Sequence, residues 1–399
     1  MQTSPAIAQR LFFLDWLRVI AFALLVPYHV GMYYVTWDWH VKSAAAGPAI
    51  EPLMMLSAPW RLSLLFFVAG AASQALLQRN AGAGFVRQRS KRLLWPLLFG
   101  MLVIVPPQSY FEVTTRFGYG GSYADFMPLY LQGHRGFCRG ADCLVLPTWN
   151  HLWFLPYLWL YSLLGWALVR GAPGWLDRLA GWLTRREPWQ LLLVLPLPLM
   201  AARLLVGRFA STHNLVWDWY NHAQYLSIFL IGLLIARSGP GLWDAMRRLR
   251  WPALWLALLG WVLILGYFQA YEKFAPPEAL RFAQRLLYGS LQWWAIVAAS
   301  GFARQWLDFD SAALRWLTPA VFCVYMLQQT VIVLLTRVLQ PWHLPALAEG
   351  LLLIVSTFAL CLAAYALAQR VPLLRGALGI SRWPGLRRPP DQARPGRGC

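Results

Sequence analysis

Ten stretches of this chain are apolar over about 20 residues each, the length an α-helix needs to cross a bilayer. They lie near 11–36, 53–78, 93–113, 149–169, 189–207, 223–236, 251–270, 286–303, 316–338 and 349–369. The sixth is short unless its helix begins near Tyr220. Of the 399 residues, 59% are hydrophobic and 13% charged, against roughly 25% charged in soluble domains. So few charges cannot cover a water-facing surface. The expected fold is an all-α integral membrane protein, about ten transmembrane helices in one bundle over residues 1–380. The tail 381–399, rich in Arg, Pro and Gly, is expected to be disordered and to rest its charge on anionic head groups.

The net charge of +19 would suit nucleic acid if it were concentrated. Instead the basic residues alternate with the apolar stretches, as topology signals do, and no nucleic-acid partner is expected. With the N-terminus placed in the cytoplasm, 23 Lys and Arg fall in cytoplasmic segments and 9 on the opposite side. That asymmetry predicts both termini inside. The first apolar stretch does not read as a cleaved signal, because Asp15 and Arg18 interrupt it. Prolines at 27, 106, 107, 196 and 198 predict kinks or backbone opened towards a cavity. Cys323 and Cys361 serve as small apolar residues, Cys138 and Cys143 share an outer loop where a disulfide can form, and Cys399 carries no lipidation signature. No spacing suggests a metal site.

Ionisable residues inside a span are costly, so each is a candidate for function. The first span, LFFLDWLRVIAFALLVPYHVGMYY, holds Asp15, Arg18 and His29. At about 100° per residue, the 11-residue separation of Arg18 and His29 returns them to within about 20° of one face, roughly 16 Å apart along the axis. Asp15 lies one turn before Arg18 and can pair with it. The plain alternative for His29 is an interhelical hydrogen bond. Arg18 on the same face and Pro27 nearby favour a catalytic or substrate-facing role.

Arg89 and Arg92, three apart in RNAGAGFVRQRSKRLLWP, share a helix face. They can clamp phosphate oxygens with their guanidinium forks or act as a positive-inside anchor. Arg61, near the outer end of the second span, either snorkels to the interface or meets an anionic or sugar group in a cavity, and Gly70 below it permits close helix contact. On the outer side, TWDWH, TWNHLWFL and VWDWYNH combine Trp with polar groups. Most of the 24 tryptophans suit interfacial belts. Asp38, His151, Asp218 and His222 are the candidates for carbohydrate contact.

These residues bring a family into view. The chain resembles the acyltransferase-3 family of membrane-bound O-acyltransferases that modify bacterial surface sugars, with the glucan biosynthesis protein C branch the nearest likeness. The family's Arg-x10-His motif falls on Arg18 and His29, and its Arg-x-x-Arg motif on Arg89 and Arg92. LFFLDWLR, WHVKS at 39–43, LFFVAG at 65–70, RLLWP at 92–96, HLWFL at 151–155 and RVPLLRGALGI at 370–380 also look like this branch. The likeness is strong over the first 160 residues or so. In VYMLQQTVI, at 324–332, many relatives carry His at the place of Gln328, so no catalytic role is assigned to that position.

The resemblance implies transfer of a succinyl or acetyl group from cytoplasmic acyl-CoA to a hydroxyl of a periplasmic or envelope glucan, in the bacterial inner membrane. Acyl-CoA would be the donor substrate, and no bound cofactor is expected. Arg89 and Arg92, with Arg18, would hold the donor's phosphates. His29 would act as general base, its ordinary pKa near 6.5 suiting that task, and Asp15 would orient Arg18. No serine sits in a nucleophile-elbow setting, which favours direct transfer. The rival from another class is a transporter or flippase moving a sugar or anion through a charged cavity. The residues alone suit both, and the resemblance favours the enzyme.

Overall fold

A computed structural model describes residues 10–79, 82–140 and 142–380, so the Arg-rich segment 381–399 lies outside the described residues. The chain is nearly all α-helix. Its one sheet among the described residues is a hairpin of Cys138–Arg139 against Asp142–Cys143, with Cys138 opposite Cys143 and a disulfide joining them.

Among the described residues, six helices are long and apolar enough to cross a membrane: Phe12–Tyr34, Pro48–Arg79, Asn150–Gly171, Pro240–Ala270, Ala312–Trp342 and Ala346–Ala368. A seventh span is a pair, Ala83–Ile104 and Pro106–Arg116, bent by 44°. The other three apolar stretches are also helical but differ in kind. Pro188–Leu204 is short, while Trp219–Arg237 and Glu278–Trp306 are long but carry polar side chains such as Asn221, Gln224, Gln284 and Gln292. Among the described residues the structure therefore supports six to seven strongly apolar spans rather than the expected ten, one further stretch being too short and two carrying interior polar side chains.

The prolines act as their chemistry requires. Pro27 has no N–H to give Ala23, and the first span is interrupted at Leu24 between Phe12–Ala23 and Leu25–Tyr34. Before Pro106 the helix widens to a π turn over Gly100–Ile104, with the Val105 N–H reaching back to Gly100. Pro196 separates Leu191–Val194 from Leu197–Leu204.

Two surfaces divide the apolar side chains. Trp95, Leu98, Trp251, Trp255, Leu259, Val262, Leu351, Val355 and Leu360 stay exposed. In water so much apolar surface would drive association, and in hydrocarbon it is matched. Inside, Phe66 packs on Phe154, Tyr161 and Tyr225, and Phe67 on Trp243 and Trp293. Those two tryptophans are core residues rather than part of an interfacial belt.

The Arg61–Arg79 and Trp219–Arg237 helices touch backbone to backbone. A Cβ on Gly70 would lie 2.0 Å from the carbonyl oxygen of Phe229, and one on Gly232 would lie 2.1 Å from that of Phe67. Only glycine allows this approach, and it sets the depth of the helix that carries Arg61. Gly232→Leu should therefore push the two helices apart and cost about 1–3 kcal/mol or more. Thermal unfolding of the purified protein in detergent checks this, and an unchanged midpoint would refute it.

Candidate active site

Two groups of ionisable residues gather inside the bundle. The first lies around Arg18. Its Nη2 meets Asp15 Oδ1 at 3.1 Å, while Arg10 takes the other oxygen of the same carboxylate at 2.8 Å. Arg89 is buried and donates from Nη2 to Ser73 Oγ at 2.7 Å. Arg18, Arg89 and Arg92 lie within electrostatic reach of one another. Asp15 is thus shared between two guanidiniums, and the Nε atoms of Arg18 and Arg89 are enclosed without a hydrogen-bond partner. Cations crowded in low dielectric repel one another, so this cluster favours an anion. Beside it, Lys91, Arg92, Trp95, Arg375 and Ile380 line a cleft of about 620 Å³. The two arginines of the Arg-x-x-Arg pair therefore meet Arg18 in space.

The second group lies around His29. The imidazole stays partly exposed although groups from several helices surround it. Its Nδ1 lies 2.9 Å from Gln328 Oε1. A carboxamide oxygen only accepts, so Nδ1 carries the proton and Nε2 keeps its lone pair. Among the described residues Nε2 has no hydrogen-bond partner. Arg61, His151 and His40 lie within electrostatic reach. Arg61 is buried, stacks over the Tyr28 ring at 3.3 Å, and leaves Nε and Nη1 unpartnered. It does not snorkel to an interface.

A polar chain leads away from this group. Gln329, next to Gln328, donates to Gln108 Oε1 at 3.2 Å and meets His40 Nε2 at 2.6 Å. His40 Nδ1 pairs with Glu112, whose other oxygen takes Arg116 at 3.0 Å. Arg116 also reaches Asp38 at 3.3 Å. His40, Lys42, Arg116 and Arg337 line an adjoining cavity of about 290 Å³. Asp38 is exposed at this rim. His40, Glu112, Gln108 and Gln329 were not singled out in the sequence. The histidine of TWDWH was a visible signal, but its carboxylate partner stands 72 residues away.

The remaining candidates spend their polar atoms within the protein. His151 is buried, with Nε2 donating to the Met326 carbonyl at 3.1 Å and Nδ1 facing Gln108 at 3.5 Å. Asp218 is fully buried and accepts from Tyr157, Asn221 and the backbone N–H groups of Thr212 and His213. His222 donates from Nε2 to the Leu215 carbonyl at 2.7 Å and accepts from Tyr161 at 2.9 Å. Together they hold a loop in which His213, Leu215 and Trp217 have positive φ, strain that persists only under such restraint.

The profile of the family described as an acyltransferase domain matches residues 11–366. The chain belongs to this family. It is also similar to the glucans biosynthesis protein C of Escherichia coli strain SMS-3-5 / SECEC, 30% identical over 111 residues that make up 26% of this chain and 27% of that protein. Its similarity to the protein of the same name from Escherichia coli K12 is 28% identity over 105 residues, 26% of this chain and 27% of the relative. The alignments thus span about a quarter of the length of these curated relatives. No solved structure matches the chain. This acyltransferase, a multi-pass membrane protein, has its family domain running through both ionisable clusters.

The strained loop of the acyltransferase gives a pH-dependent prediction. Burial opposes ionisation of Asp218, but the hydrogen bonds from Tyr157, Asn221 and Thr212 outweigh it and hold the carboxyl below its usual range. The stability it contributes is present above the unfolded pKa of about 3.9 and is lost as pH falls through the lower folded value. Asp218→Asn should loosen residues 211–217 at neutral pH by about 1.5–3 kcal/mol. Hydrogen exchange of their amides measures this, and equal protection in variant and wild type would refute it.

Proposed function

We propose that this acyltransferase moves a succinyl or acetyl group from cytoplasmic acyl-CoA to a hydroxyl of a periplasmic or envelope glucan. The glucan rests on the printed names of the relatives, and the inner membrane on the same likeness. The observation that carries the chemistry is the unpartnered Nε2 of His29, with Nδ1 tied to Gln328. A neutral imidazole held this way presents one bare basic nitrogen, as a general base must.

In this reading ten helices form the bundle and both termini are cytoplasmic, as the excess of basic residues on that side supports. The Arg18, Arg89 and Arg92 cluster then faces the donor compartment and takes the phosphates of acyl-CoA, with Asp15 orienting Arg18. The thioester arm follows the first span from Arg18 to His29, roughly 16 Å at 1.5 Å per residue. The glucan approaches from the outer cavity beside His40, Arg116 and Asp38. Arg61 meets an anionic group there, either on the acceptor or at the far end of a succinyl chain. His29 Nε2 takes the hydroxyl proton as the oxygen attacks the thioester carbon. The proton then passes to the departing thiolate, leaving an ester and free CoA.

The test is a membrane vesicle assay with labelled succinyl-CoA or acetyl-CoA supplied on the cytoplasmic side and ester measured on outward glucan. His29→Ala should abolish labelled ester at an unchanged protein level. Ester formation that survives in the variant while glucan export fails would support a transporter instead. Arg89→Ala combined with Arg92→Ala should weaken acyl-CoA binding roughly tenfold to a hundredfold, the scale of lost charge-assisted bonds. Unchanged affinity by calorimetry would return that pair to an anchoring role.

A further inference from the structure

Gln328 is fully buried at the centre of the bundle, on the Ala312–Leu339 helix. Its amide has one oxygen and two N–H donors to satisfy. The oxygen accepts from His29 Nδ1 at 2.9 Å. The nitrogen is enclosed and has no partner among the described residues. Leaving a buried donor unmade costs about 1–3 kcal/mol, and such a group in a native interior calls for an explanation. Gln74, Gln284 and Gln292 each also keep one enclosed amide atom unpartnered, whereas the two glutamines in the polar chain beside His29 do not. Gln329 reaches both His40 and Gln108, and Gln108 reaches Thr330 and Asn150. Gln328 alone of these three has an idle nitrogen, and its other end holds the proposed base.

We propose that Gln328 is a catalytic residue that binds the oxyanion of the acyl-transfer intermediate. The inference rests on the acyltransferase reading given above. As the acceptor hydroxyl oxygen bonds to the thioester carbon, its proton goes to His29 Nε2. The carbonyl π pair moves onto the carbonyl oxygen, which becomes negatively charged. The idle N–H of Gln328 donates to that oxygen. When the intermediate collapses, the C=O bond re-forms, the C–S bond breaks, and the leaving thiolate takes the proton back from His29. The atoms balance as an alcohol and a thioester giving an ester and a thiol.

One side chain thereby couples two tasks. Its oxygen keeps the proton on His29 Nδ1, so the nitrogen left bare is Nε2. Its nitrogen is a donor fixed before the charge appears, in a site of low dielectric where such a donor acts most strongly. The donor has no partner to give up when the oxyanion forms, which makes it worth more in the transition state than in the ground state.

The experiment uses the full chain in lipid nanodiscs, with succinyl-CoA and acetyl-CoA as donors and a glucose oligosaccharide as acceptor, reading free thiol and ester. Gln328→Met keeps the shape and removes both bonds. It should lower kcat roughly 10²–10³-fold while the KM for donor and the thermal midpoint hold. Gln328→His restores one acceptor and one N–H, and should recover most of that loss. A Gln328→Met enzyme with kcat within about threefold of wild type overturns the proposal. So does a rate loss that follows a fall in stability, or a Gln328→His variant as slow as Gln328→Met at normal stability. A wild type that shows no His29-dependent transfer from either donor removes the acyltransferase reading, and this inference with it. His29-dependent wild-type turnover with an unaffected Gln328→Met removes this inference alone.

Discussion

A bundle in hydrocarbon has no solvent to accept an unpaired charge or an open carbonyl, so each such group must find a partner or a cavity. That constraint organises this molecule. The helix break at Leu24, left by the missing N–H of Pro27, lies between Arg18 and His29. The π turn before Pro106 leads into the helix that carries Gln108 and Glu112. Both irregularities occur where polar side chains gather.

The same constraint separates the two clusters. Around Arg18, guanidiniums share too little negative charge and keep enclosed nitrogens idle. Around His29, the groups are mostly neutral amides, phenols and imidazoles, with Arg61 stacked on Tyr28. In the proposed reaction, a charged donor head suits the first environment and a proton transfer suits the second. What holds them in register is close packing. Gly70 and Gly232 let two backbones meet, which fixes the Arg61 helix against its neighbour, and the aromatic rings around Phe66 and Phe67 fill the space on either side.

Much of this was legible from residue types and spacing. Apolar length located the helical stretches, proline chemistry located the interruptions, and the cost of buried charge singled out Asp15, Arg18, His29 and Arg61. Other parts were not legible. His40 and Glu112 form a pair only because the loop after the first span folds against the Pro106–Arg116 helix. Gln328 bears no charge, so the cost of buried charge did not single it out, and only the structure shows that it bonds His29. Asp218 and His222 looked suited to sugar contact by type, yet the structure turns their polar atoms towards a strained loop.

The sequence by itself determined that the chain is helical and apolar, where its helices bend, and which charges must be enclosed, because these follow from hydropathy, backbone chemistry and desolvation within a short window. Only the tertiary structure decided which enclosed groups meet. Arg18 joins Arg89 and Arg92 from another helix, and His29 joins Gln328 from a position 299 residues away. Partnership across such distances depends on how helices pack, and no local pattern of residues encodes which nitrogen of an imidazole is left bare.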